Sequence, residues 1–156
     1  MGFLFLDTSA FIKLYLKEKG SRWIRRLVKS NQILISELTL AEATNVVTRL
    51  YRNGNITRRK VRSVLKNISN KSDNIRIIPL KIEEQLSLLA TLGLGLPGNL
   101  RLRTLDSIQV VAAELAKTFI LSQDPAASFI FVSSDIQLLR VAQTRGFTTE
   151  NPENYP

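Results

Sequence analysis

Two segments of the chain place acids directly after runs of large apolar residues. Phe3-Leu4-Phe5-Leu6 runs into Asp7-Thr8-Ser9, and Phe129-Ile130-Phe131-Val132 runs into Ser133-Ser134-Asp135. Apolar runs without period-2 alternation mark strands covered on both faces, the habit of a parallel sheet clothed in helices. Ligands of such sheets collect beyond the carboxyl ends of the strands, where strand order reverses. If these two strands are neighbours at that point, Asp7 and Asp135 meet across the crevice. Two further acids can reach the same rim from helices: Asp106 in a first turn, and Glu42 about two turns in. Glu37 competes with Glu42, but at about 100° per residue the two stand roughly 140° apart, so only one faces the crevice. Glu42 is preferred. Asn45, one turn further along that face, could hold its carboxylate or a metal-bound water.

Each acid also has a plainer reading. Asp7, Asp106 and Asp135 are good cap or first-turn residues, and Glu42 could be a solvated surface acid. Taken together they are harder to dismiss, because several ionised carboxylates in one crevice repel unless a cation is held between them. The chain has no histidine and no cysteine. An all-oxygen ligand set selects a hard ion, so the expected metal is Mg²⁺ or Mn²⁺.

The elements that must position these acids alternate strand and helix. Residues 10–16 have the apolar spacing of a short helix, capped by Thr8 or Ser9, and Ser21 can cap a second helix to about residue 29. Residues 33–35 form a β-branched strand, and Ser36 caps a helix over 37–52 that Asn53-Gly54-Asn55 ends. Thr57 opens a basic helix to about residue 69, followed by a strand at 75–78. A helix over 81–92, a glycine-rich loop over 93–99 and a helix over 105–117 capped by Thr104 come next. After the strand at 129–132, a helix runs from Ser133-Ser134-Asp135 to about 145, and 146–149 supply a short last strand. The alternation predicts an α/β fold, a three-layer α/β/α sandwich around a central, mainly parallel sheet of about four to five strands. Residues 1–150 read as a single domain and 151–156 as an irregular C-terminal tail.

A chain of 156 residues can bury a real core without covalent staples. Its 22 Lys and Arg against 13 Asp and Glu give a net charge of +9, which favours anionic partners, nucleic acid first among them. Fourteen of the cations fall in two segments, seven from Lys13 to Lys29 and seven from Arg49 to Lys66. The absence of cysteine excludes a disulfide framework, a thiolate metal site and a cysteine nucleophile, and is compatible with a reducing, cytoplasmic setting. The absence of histidine removes the commonest general base, leaving carboxylates to carry any acid/base or metal chemistry. Asp7 interrupts the apolar amino terminus long before a signal or membrane segment could be completed, so no membrane partner is expected.

Four segments in order resemble the PIN domain family, most closely its VapC-like toxins. They are Phe5-Leu6-Asp7-Thr8-Ser9, Ile35-Ser36-Glu37-Leu38-Thr39-Leu40-Ala41-Glu42, Leu102-Arg103-Thr104-Leu105-Asp106-Ser107-Ile108 and Phe131-Val132-Ser133-Ser134-Asp135, with Gly146-Phe147 and Asn151-Pro152 behind them. The resemblance spans nearly the whole chain. It implies a PIN-like sandwich in which Asp7, Glu42, Asp106 and Asp135 form the acidic quartet, with Ser9 and Ser133 in support. Gln109 stands where family members often have a histidine, a position outside the quartet. The resemblance further implies a Mg²⁺- or Mn²⁺-dependent ribonuclease, a homodimer, and a cognate antitoxin that blocks the site. Asp7 is expected as the central ligand, Glu42 and Asp106 as holders of the catalytic ion, and Asp135 as the completion of a second site.

Phe11, Leu14, Tyr15, Trp23, Ile24 and Leu27 either fill the core or line a groove for an antitoxin helix, and aromatic residues at helical spacing favour the core. Two rivals to the nuclease reading remain. A binding module would hold RNA or an antitoxin without cutting. A phosphatase-like or receiver-like domain would also carry an acid after its first strand, but a phosphatase wants a second Asp where Ser9 stands, and a receiver wants paired acids near its start.

Overall fold

The structure, a computed structural model, describes residues 2–70 and 73–155. Strands β1 (Gly2–Leu6), β2 (Asn31–Ser36), β3 (Ile75–Ile78), β4 (Phe129–Val132) and β5 (Thr148–Glu150) form one sheet in the order β3-β2-β1-β4-β5, with every pair parallel. Because successive strand residues point to opposite faces, each apolar run feeds two cores at once. Leu4, Leu6, Ile33, Ile35 and Val132 enter one, while Phe5, Leu34, Phe129 and Phe131 enter the other. In register across β1 and β4, Phe5 and Phe131 stack with ring centroids 5.5 Å apart.

Helices α1 (Thr8–Phe11), α2 (Ser21–Leu27), α3 (Glu37–Arg52) and α4 (Arg58–Ser69) cover the first face through Phe11, Ile24, Ala43, Val47, Val64 and Ile68. Helices α5 (Ile82–Leu94), α6 (Thr104–Gln123) and α7 (Ile136–Thr144) cover the second through Leu92, Val110, Ala113, Leu138 and Ala142. The result is the α/β/α sandwich expected, with five strands. The chain lays β2 and β3 on one side of β1 and then returns to place β4 on the other. Strand order therefore reverses between β1 and β4, whose carboxyl ends carry Asp7 and Ser133.

Local details depart from the sequence expectation where a tertiary contact outweighs a cap signal. Asp7, rather than Thr8 or Ser9, caps α1, which stops after Phe11 and continues as a 3-10 turn over Ile12–Leu14. Helix α5 runs through Gly93 to Leu94. Thr104 is the first residue of α6 rather than its cap, and α6 continues to Gln123 because Ala113, Ala116 and Ile120 extend its buried stripe past Lys117. Residues 152–154, expected within an irregular tail, are regular instead. Pro152–Asn154 form a 3-10 turn capped by the Asn151 side chain, and Pro152 is buried.

That terminal turn docks on the α1–α2 segment. Gly20 has φ +81, and a Cβ there would lie 2.3 Å from the Pro152 carbonyl oxygen, so glycine is required by conformation and by contact. Tyr155 stacks on Trp23 at 4.4 Å with the rings nearly parallel. The apolar residues considered for an antitoxin groove are thus used by the chain itself. Phe11 and Ile24 are fully buried and Trp23 is covered by Tyr155.

Candidate active site

Asp7 ends β1 in an extended conformation and turns its carboxylate into the junction with β4. Only 5% of the residue is exposed. One carboxylate oxygen, Oδ1, accepts from the Ala10 amide at 2.9 Å and from Ser9 Oγ at 2.8 Å, and Oδ2 accepts from Ser133 Oγ at 2.8 Å. The two hydroxyls are themselves fixed: Ser9 Oγ accepts from the Ser134 amide at 2.7 Å, and Ser133 Oγ from the Asp135 amide at 2.9 Å. A hydroxyl can donate once and accept as well. Ser9 and Ser133 therefore lace the loops after β1 and β4 to one carboxylate. Burial pushes the Asp7 carboxyl from 3.8 up to about 6, against the pull of these hydrogen bonds.

Glu42 projects from α3 toward the same junction, where its Oε2 accepts from Thr8 Oγ1 and from Gln109 Nε2, the latter at 2.8 Å. Gln109 is 2% exposed, and its amide also meets Thr39 Oγ1 at 3.2 Å. Asp106 sits in the first turn of α6, where burial and then the neighbouring charge of Asp135 raise its pKa, with Glu42 adding to the effect. Asp135 caps α7 by accepting from the Gln137 and Leu138 amides at 2.8 and 3.2 Å.

Asp7, Glu42, Asp106 and Asp135 all line one cavity of about 350 Å³, together with Ser9 and Ser134. Ser133 lies beneath it, fully buried against Asp7. Asn45 does not hold Glu42, whose Oε2 accepts from Thr8 and Gln109; it is exposed and lines an adjoining cavity. Glu37 faces elsewhere and accepts from the Leu80 amide at 2.9 Å.

The donors present fit a hard divalent cation in kind. Six carboxylates border the cavity, the four above together with Glu18 and Glu153, and Ser134 Oγ is buried there without a hydrogen-bond partner. Among the described residues, no three acids are gathered closely enough to hold an ion as they stand. Asp7, Glu42 and Asp135 are instead drawn to their own donors, and a bound ion would compete with those contacts.

Sequence reasoning missed several groups. Gln109 lies outside the expected quartet, but its position three residues after Asp106 puts it on the same face of α6. Lys13, one of the seven cations of the first basic segment, is 3% exposed, lines the cavity, and pairs with Glu153 at 3.1 Å and Glu18 at 3.4 Å. The signal available for Lys13 was its place between apolar Ile12 and Leu14; nothing local announced Glu153.

The fold is a parallel α/β/α sandwich with an acid-lined cavity at its switch point, where ligands of open α/β sheets bind. The family model for the PIN domain matches residues 4–132, and the chain belongs to that family. No curated protein matched the sequence. Among solved structures, PAE2754 from Pyrobaculum aerophilum is 17% identical, covering 98% of this chain and 85% of that one, with a TM-score of 0.62. FitAB bound to the IR36 DNA fragment is 15% identical, covering 96% and 95%, with a TM-score of 0.64. VapBC2 from Rickettsia felis, bound to a DNA fragment from its promoter, is 19% identical, covering 96% and 98%, with a TM-score of 0.56. At these identities the likeness is one of fold. Among the described residues, no helix is long and apolar enough to cross a membrane.

Proposed function

We propose that the chain is a metal-dependent endoribonuclease, the toxin of a toxin–antitoxin pair. The observation that carries this reading is the convergence of Asp7, Glu42, Asp106 and Asp135 on one cavity of a protein with a net charge of +9. Mg²⁺ or Mn²⁺, when bound, supplies Lewis-acid polarisation of the phosphodiester and acidification of a water. Asp7 is the central holder of that ion, with Glu42 and Asp106 beside it and Asp135 toward a second position. Ser9 and Ser133 orient the Asp7 carboxylate, and Thr8 and Gln109 orient Glu42. Burial raises the Asp7 carboxyl to about 6, and carboxyls perturbed in this way cluster at functional sites. The fold is shared with FitAB and VapBC2, and a cognate antitoxin is the partner this reading implies. A homodimer in the cytoplasm completes the reading.

The test is cleavage of a single-stranded RNA panel by the purified chain with Mn²⁺. Wild-type protein is expected to cut and Asp7→Asn to lose essentially all activity with an unchanged circular dichroism spectrum. Equal rates for the two would remove Asp7 from the mechanism. A second reading, a catalytically degenerate PIN-like module that binds RNA or protein, is favoured by the absence of three gathered acids among the described residues. Calorimetric titration separates the two readings, since a degenerate module should bind neither ion.

A further inference from the structure

The acid-lined cavity does not stand alone. A second cavity of about 480 Å³ shares Thr8, Glu42, Val46 and Arg49 with it, so the two form one continuous groove running along α3. Glu42, Asn45, Arg49 and Arg52 line this extension at steps of three, four and three residues, which places them in a single stripe on the helix. Arg49 is about 10 Å and Arg52 about 15 Å from Glu42 along the helix axis.

Charge divides the groove. Glu42, at the junction, is the only acid that lines the extension, and the two guanidiniums are exposed. Neither makes an ion pair among the described residues. The opposite end differs: Lys13 is held between Glu18 and Glu153, leaving that end net negative. A polyanion with one phosphate among the acids would be repelled by the Glu18 and Glu153 end and attracted along α3. Arginine's planar fork suits phosphate oxygens, and the half-exposed Leu105 gives the groove an apolar edge.

We propose that the α3 groove is the seat of the RNA backbone on one side of the cut, with Arg49 and Arg52 each taking a flanking phosphate. The proposal rests on the ribonuclease reading and gives its site a direction. Of the fourteen clustered cations, it assigns the task to these two, and it leaves the basic face of α4 outside the track.

The experiment is fluorescence anisotropy of a short labelled single-stranded RNA with the full chain in chelator, across a range of KCl. Arg49→Gln and Arg52→Gln should each weaken binding and reduce the slope of log K against log salt by about 0.7, with the double variant losing about twice that. Arg76→Gln, on the edge strand β3, should leave the slope unchanged. In cleavage assays the arginine variants should raise KM and leave kcat. Unchanged slopes, a fall in kcat at constant KM, or weakened binding of an antitoxin with unaltered RNA affinity would each overturn the proposal. RNA cleavage with unchanged slopes sinks the track alone. Changed slopes without cleavage under any divalent ion sink the nuclease reading and spare the track. Both arginines are exposed in the last turns of α3, and glutamine is nearly as good a helix former, so misfolding does not cloud the result.

Discussion

Asp7 caps α1, anchors the hydroxyls of Ser9 and Ser133, and remains close to half-protonated near pH 6 because burial outweighs its hydrogen bonds. A raised carboxyl pKa means that the folded state prefers the protonated form. The contribution of Asp7 to stability is therefore fully present below its unfolded value of 3.8 and is lost as pH rises through about 6. The full displacement corresponds to at most about 3 kcal/mol. In chelator, Asp7→Asn should exceed wild type in stability by up to that amount at pH 7, with the difference shrinking toward pH 4. Urea denaturation across this range measures it, and a difference independent of pH would contradict the burial argument. Gln109 gives a second residue-level prediction. Gln109→Leu removes the donor shared by Glu42, Thr39 and Thr8 inside a buried network, and should cost about 1–3 kcal/mol in the same denaturation experiment.

Among the elements, the terminal 3-10 turn is the least conspicuous in sequence and among the best anchored. It is held by Lys13–Glu153, by the Trp23–Tyr155 stack and by the backbone approach at Gly20. Through Glu153 it also forms part of the cavity wall. Gly20→Ala would force a side chain into the left-handed region and against Pro152, costing at least about 1–2 kcal/mol. The expected outcome is a destabilised chain whose Trp23 emission shifts as Tyr155 lifts away. Unchanged emission and midpoint would show that the turn can rearrange without loss. Helix α3 is the other element with two functions: its inward face packs Ala43 and Val47 into the core while an adjacent stripe carries Glu42 and the arginines.

For the whole molecule, the sheet order sets what the acids can do together. Placing β4 beside β1 brings residues more than a hundred positions apart into one cavity, where like charges raise the Asp106 carboxyl and a bound cation would offset that cost. Mg²⁺ at about a hundred times its Kd should stabilise wild-type protein by about 2.7 kcal/mol, and Asp7→Asn by much less. Thermal unfolding with and without the ion checks this, and equal shifts for both proteins would place the ion away from Asp7.

The sequence by itself determined the strands, their burial on both faces, the alternation with helices and the acids at strand ends. These are written in runs, periodicities and caps only a few residues long. Helical angle, a local property, also showed that only one of Glu37 and Glu42 could face the crevice, and the packing of α3 decided for Glu42. The tertiary structure decided what depends on residues distant in the chain: Gln109 as the partner of Glu42, Lys13 paired with Glu153 instead of solvent, the docked terminal turn, and Arg49 and Arg52 as the cations beside the acids. Such pairings are set by which strands become neighbours and how helices pack on them, and no local pattern encodes that.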